Sequence, residues 1–209
     1  MYRPSAFVVD DISVLHTVIR ERVFATFAIS TDEGIKFAYT PVILDADEGG
    51  FGMLRFHFAI GNPLAKLENG ARLSLSVLAA DAYVSPDWYK QTVTVPTWNY
   101  IALECEGCVH RSSHEELRQL VIDLSAQEEE KLRPKEPWLI DKVQPQRVEA
   151  LLNGIVGFSL LLDRLQGKFK LSQDKKPDDI EGVITGLEER GDAASRAVAN
   201  AMRTNATAP

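Results

Sequence analysis

Apolar and polar residues alternate along several short runs of this chain, and that two-residue period predicts strands half-buried on one face. Leu73-Ser74-Leu75-Ser76-Val77 is the plainest of them. Runs at 23–30, 37–44, 53–58 and 98–110 also read as strands by residue type, with Pro41 forcing a bulge or an edge position in the second. Ile155 to Leu165 is apolar enough for a buried strand. Gln166-Gly167 then predicts a turn into a last strand, Lys168 to Ser172, with Lys168, Lys170 and Ser172 on one face.

Helical spacing appears in fewer places. Val14, Leu15, Val18 and Ile19 follow Asp11, a plausible N-cap. Asn62-Pro63 opens a short helix reaching Leu67, with Asn62 as cap. Ser113-His114-Glu115-Glu116 is a capping box, followed by a stripe of Leu117, Leu120, Val121 and Leu124. Pro134, Pro137 and Pro145 break up the next segment. Pro177 starts a helix carrying Ile180, Val183, Ile184 and Leu187, and residues 191–209 read as a frayed helix with a loose tail. At least six strands without a β-α-β rhythm predict a mainly β, α+β fold: an antiparallel barrel with helical additions.

Composition adds limits. With 209 residues the chain suits one large domain, and its net charge of −7 argues against a general nucleic-acid binder. No apolar run has membrane-span length and the N-terminus lacks a signal-type core, so a cytoplasmic protein is expected. Cys105 and Cys108 form a C-x-x-C inside a strand-like run, where positions three apart face opposite sides, so two unrelated reduced thiols are expected. No second C-x-x-C completes a zinc site.

The candidate chemistry gathers in two stretches. Residues 83–100 hold two of the three tryptophans and three of the five tyrosines, with Ser85, Thr97 and Asn99 beside the rings. Such a mixture suits a flat ligand with polar edges, or equally a loop that plugs the end of a sheet. Lys168, Lys170, Lys175 and Lys176, with Arg164, form the basic cluster, readable as a solvated hairpin, a phosphate anchor or a narrow DNA contact. His57, near the Asn62 turn, offers an anion or cofactor contact or a structural histidine.

Six ordered blocks carry a resemblance. They are Met1-Tyr2-Arg3-Pro4, Phe56-His57-Phe58-Ala59 with Asn62-Pro63, and Tyr83-Val84-Ser85-Pro86 with Trp88-Tyr89. Val95-Pro96-Thr97-Trp98-Asn99-Tyr100, Ile155-Val156-Gly157 and Gly167 to Gln173 complete the set. Together they resemble the PaiB family of FMN-binding negative transcriptional regulators. The resemblance implies a split β-barrel of the pyridoxamine-phosphate-oxidase type over residues 1–190, followed by a C-terminal helix and tail at 191–209. It also implies a homodimer with flavin sites at the subunit interface.

Carried over by motif, His57, Asn62, Ser85, Trp88, Thr97, Trp98, Asn99, Lys170, Ser172 and Gln173 are expected to line the FMN pocket. Ile60 stands where the family usually has an arginine, and Ala38 and Tyr39 where it tends to have a hydroxyl residue and a histidine. Loss of a guanidinium beside a phosphate costs about 1.5–3 kcal/mol, so weakened or lost flavin binding is one expectation. The functional readings are a redox-sensing regulator, a flavin-dependent oxidoreductase, a cofactor-free DNA-binding repressor, and a haem protein using His57.

Overall fold

The computed structural model describes residues 1–90 and 93–206. Its strands are β1 (Val8–Val9), β2 (Phe24–Thr31), β3 (Gly34–Pro41), β4 (Ile43–Asp45), β5 (Met53–Ala59), β6 (Arg72–Val84), β7 (Thr97–Arg111) and β8 (Ile155–Lys170). They form one antiparallel sheet in the order β3-β2-β6-β7-β8-β5-β4, with β1 on β8. The helices are α1 (Ile12–Arg22), α2 (His114–Glu130), α3 (Pro145–Leu152), α4 (Pro177–Arg190) and α5 (Ala193–Ala206).

The chain divides into two compact units. The first comprises Met1–Leu15, Leu78–Glu104 and Gln166–Pro209, and the second His16–Val77 and Cys105–Leu165. The second is built on four phenylalanines. Phe27 meets Phe56 at 4.5 Å between ring centroids, and Phe56 meets Phe158 at 5.9 Å, with Phe58 filling the angle. Ile43, Leu117, Leu120, Val148 and Leu152 form a second apolar cluster where α2 and α3 meet β4. In the first unit α4 and α5 pack together and bury Val183, Leu187, Val198 and Met202.

The caps work as their residue types demand. Asp11 Oδ1 accepts from the Ser13 and Val14 amides at the start of α1. Ser113 and Glu116 make both bonds of the capping box. Asn62 accepts from Leu64 N at 2.9 Å, but the helix it caps is a single 3₁₀ turn, Pro63–Lys66.

Several expectations need correction. The run 37–44 is two strands, because Pro41 has no amide to continue the ladder and Val42 intervenes. No turn occurs at Gln166-Gly167, and β8 runs straight through it. Gly167 is there for close approach: a Cβ would stand 2.3 Å from Leu15 Cδ2 and 2.9 Å from Val9 O. The strand ends at Lys170, so Ser172 does not share a strand face with the lysines and instead has φ +62. Pro145 opens α3 where only a broken segment was expected, since proline suits the first helical turn. The C-terminal helix buries Val198 and Ala199 instead of fraying, and the loose tail expected at 207–209 lies outside the described residues. Cys105 is buried and Cys108 exposed on β7, with no disulfide between them.

Candidate functional site

A cavity of about 150 Å³ opens in the first unit, lined by Phe7, Tyr89, Thr94, Val95, Thr97, Lys170, Ser172, Asp174 and Lys175. Its floor comes from the end of β8. Lys170 Nζ donates to Thr97 Oγ1 at 2.7 Å and to Trp98 O at 2.6 Å, which fixes the ammonium against the start of β7. Burial pushes the Lys170 pKa below the usual 10.5; Lys175 and Lys168 add to the shift and Asp174 opposes it. Lys175 donates to Asp174 at 2.9 Å, and that hydrogen bond raises its own pKa.

Beneath the cavity the backbone is held in an unusual form. Ser172 lies in the left-handed region, which non-glycine residues adopt at a cost and which clusters at functional sites. Its hydroxyl accepts from Asn99 Nδ2 at 2.9 Å, and the Asn99 amide also reaches Met202 Sδ at 3.4 Å. Gln173 braces the same turn, accepting from Leu171 N at 2.7 Å and donating to Phe169 O.

The side wall hangs on α4. Ser85 caps the 3₁₀ turn Pro86–Trp88 by accepting from Asp87 N, and the next residue, Tyr89, is buried at the cavity. Trp88 lies on a notch made by two glycines: a Cβ on Gly182 would be 2.1 Å from Trp88 O, and one on Gly186 2.4 Å from the indole. The fully buried Asp179 accepts from Lys90 N at 2.8 Å. Positions 179, 182 and 186 share one helix face, so α4 is moulded to this segment.

Ten residues were expected to line the pocket. Thr97, Lys170 and Ser172 line this cavity; Asn99 and Gln173 support its floor, and Ser85 and Trp88 shape the segment that carries Tyr89. The Trp98 ring is half exposed and meets Tyr83 edge-on at 6.3 Å. His57 and Asn62 belong to the second unit. His57 sits on β5 opposite Gly157, its carbonyl accepting from Thr40 Oγ1 at 2.8 Å. Its shielded Nδ1 has no partner among the described residues, and burial lowers its pKa below 6.5.

The basic cluster is not one patch. Arg164 pairs with Glu106 in the second unit, while Lys168 is buried between Tyr2 and Tyr100, 5.4 and 5.2 Å from the ring centroids. Phe7, Thr94 and Asp174 were not foreseen; they reach the cavity from separate segments and carry no motif. Ile60 and Tyr39 are exposed and Ala38 is buried.

Two ammonium groups and hydroxyls line a small cavity beside the Asp174 carboxylate that pairs with Lys175, and the ammonium and hydroxyl groups form a donor set for a compact anion. At about 150 Å³ the space is below the roughly 300–1,000 Å³ of pockets for whole cofactors, so it suits a phosphate group. The donors therefore fit the phosphate end of a nucleotide.

Known proteins bear on this site. A family model described as "Putative FMN-binding domain" matches residues 1–164, which stops short of Lys170. The "Protease synthase and sporulation protein PAI 2" of Bacillus subtilis is 30% identical over 205 residues, covering 97% of this chain and 96% of that protein. An uncharacterised protein of Emericella nidulans is 32% identical over 242 residues, with 97% and 96% covered. Among solved structures, the FAD and heme binding protein of Mycobacterium smegmatis aligns with TM-score 0.58 at 16% identity, over 83% of this chain and 78% of that one. The fold is the antiparallel split barrel with helical additions that the sequence predicted.

Proposed function

The chain belongs to the PaiB family, whose domain is described as FMN-binding, and from that premise we propose that it binds FMN by its phosphate at Lys170. The observation that carries the reading is the Lys170 ammonium, held by Thr97 Oγ1 and Trp98 O and kept from full solvation at a cavity shared with Lys175 and Ser172. A dianionic phosphate there would compensate the desolvated Lys170 ammonium and offset its repulsion from Lys175 and Lys168. Thr97, Lys170, Ser172 and Lys175 are the proposed phosphate ligands. Asn99 and Gln173 hold the turn that presents Ser172, and Trp98 offers an exposed indole face to a flat ring. Ile60, Ala38 and Tyr39 are expected to weaken binding relative to family members with the usual residues.

Bound flavin supplies reversible redox chemistry that the side chains lack. The biological role we propose is a homodimeric redox-sensing regulator, in keeping with the protease and sporulation name of the Bacillus relative. The test is the visible spectrum of the purified protein before and after excess FMN. Flavin bands as isolated, or a saturable shift on addition that Lys170→Ala loses, support the reading. Full occupancy in Lys170→Ala refutes the phosphate assignment.

A further inference from the structure

Lys170 and Lys175 line the same cavity, yet their surroundings push them in opposite directions. Lys175 donates to Asp174 at 2.9 Å, and that bond raises its pKa and keeps its ammonium charged. Lys170 is desolvated by burial, which lowers its pKa. Two titratable groups separated in this way divide the work: one holds charge, and the other supplies a nucleophile.

Hydrogen bonds also aim the Lys170 amine. Nζ donates to Thr97 Oγ1 at 2.7 Å and to Trp98 O at 2.6 Å. A neutral amine retains two N–H groups, so both bonds survive loss of the third proton. The lone pair then takes the remaining tetrahedral position, the one left for approach from the cavity that Lys170 lines. The ammonium form binds anions, and the neutral fraction that burial enlarges can attack an electrophile.

We propose that Lys170 is a modification site for small acyl phosphates, whose phosphate rests on Lys175, Thr97 and Ser172 while the acyl group passes to Nζ. The Nζ lone pair attacks the carbonyl carbon, an amide C–N bond forms, and the C–O bond to the phosphate breaks. Inorganic phosphate leaves with that electron pair and takes up the proton that Nζ loses. Cavity size selects the class of reagent. An acyl phosphate has a single oxygen between carbonyl carbon and phosphorus, so both ends fit within about 150 Å³. A phosphorylated sugar or ring aldehyde separates the two by several atoms, which leaves its aldehyde outside when its phosphate sits on Lys175. Acylation removes the ammonium, and the amide has one N–H where two acceptors were served. The modification thus discharges the phosphate anchor, and the inference rests on the anion-binding part of the reading above.

The experiment treats the full chain with acetyl phosphate, or with acetic anhydride, which carries no phosphate. Peptide mass spectrometry follows acetylation at each lysine. With acetyl phosphate, Lys170 is expected to react about tenfold faster than the exposed Lys66 and Lys142, because the reagent is held beside it. Inorganic phosphate should abolish that advantage. Lys175→Met should lower the ratio of the two reagents' rates at Lys170 by about tenfold, a ratio in which changes of amine basicity cancel. Acetyl phosphate labelling at Lys170 no faster than at Lys66 overturns the inference, as does an advantage that inorganic phosphate leaves intact. FMN and riboflavin separate this outcome from the flavin reading. If only FMN shields Lys170 from acetic anhydride, the phosphate anchor stands even where acetyl phosphate shows no preference. A phosphate-sensitive preference that FMN does not suppress upholds the inference and sinks the flavin reading.

Discussion

The Trp88 indole occupies the space that a side chain at Gly186 would need, with Cδ2 only 2.4 Å from where that Cβ would be. Glycine inside a helix is about 1 kcal/mol worse than alanine, so its presence here reflects the ring that rests on it. Gly186→Ala is expected to lower stability by about 1–3 kcal/mol through overpacking. In a Trp88→Ala background the same change should raise stability instead, by up to ~1 kcal/mol. Thermal or urea unfolding of the four proteins reads the sign reversal, and a Gly186→Ala effect of the same sign in both backgrounds would contradict the notch.

Lys170 makes anion binding weaken as the solution turns alkaline. Its pKa is lowered in the free protein, chiefly by burial, and only the protonated form attracts phosphate. Affinity for FMN should therefore be strongest below the lowered value and decline as pH rises through it, beginning before the ordinary 10.5. Lys170→Arg keeps its charge over that range and should flatten the decline. Titrations from pH 7 to 10 test this, and identical profiles for the two proteins would exclude Lys170 as the titrating group.

His57 has the opposite relation to acid. Its folded pKa lies below the unfolded value near 6.5, because burial disfavours the imidazolium. Its contribution to stability is thus fully present above pH ~6.5 and is lost as pH falls through the folded value. His57→Phe, which cannot take up a proton, should lose less stability than wild type between pH 7 and 5. Unfolding midpoints across that window decide it; parallel losses would show that other groups dominate.

Much of this architecture is legible in the sequence because its causes are local. The alternation at 73–77, the Asp11 cap and the Ser113–Glu116 box each depend on neighbours in the chain, and each appears where expected. Gly167 misleads because its reason is the approach of Val9 and Leu15, more than 150 positions away in sequence. Pro145 misleads for a local reason instead, since a proline that breaks a helix from within also begins one. In the site, Lys170 and Thr97 stand out by residue type, whereas Phe7 and Asp174 acquire meaning only when four separate segments meet. Trp88 shows the limit of motif reading: the ring is informative, but the glycines that seat it lie about a hundred residues later.

The measurement that bears most directly on the phosphate anchor is a paired titration with FMN and riboflavin, followed by quenching of flavin fluorescence. The two ligands differ only in the phosphate. Wild type should bind FMN at least tenfold more tightly than riboflavin, the size of one or two charge-assisted contacts. Lys170→Met should erase most of that preference while leaving the unfolding midpoint close to wild type. Equal affinity for the two flavins in the wild-type protein would contradict the account, because the Lys170 cavity would then contribute nothing to recognition.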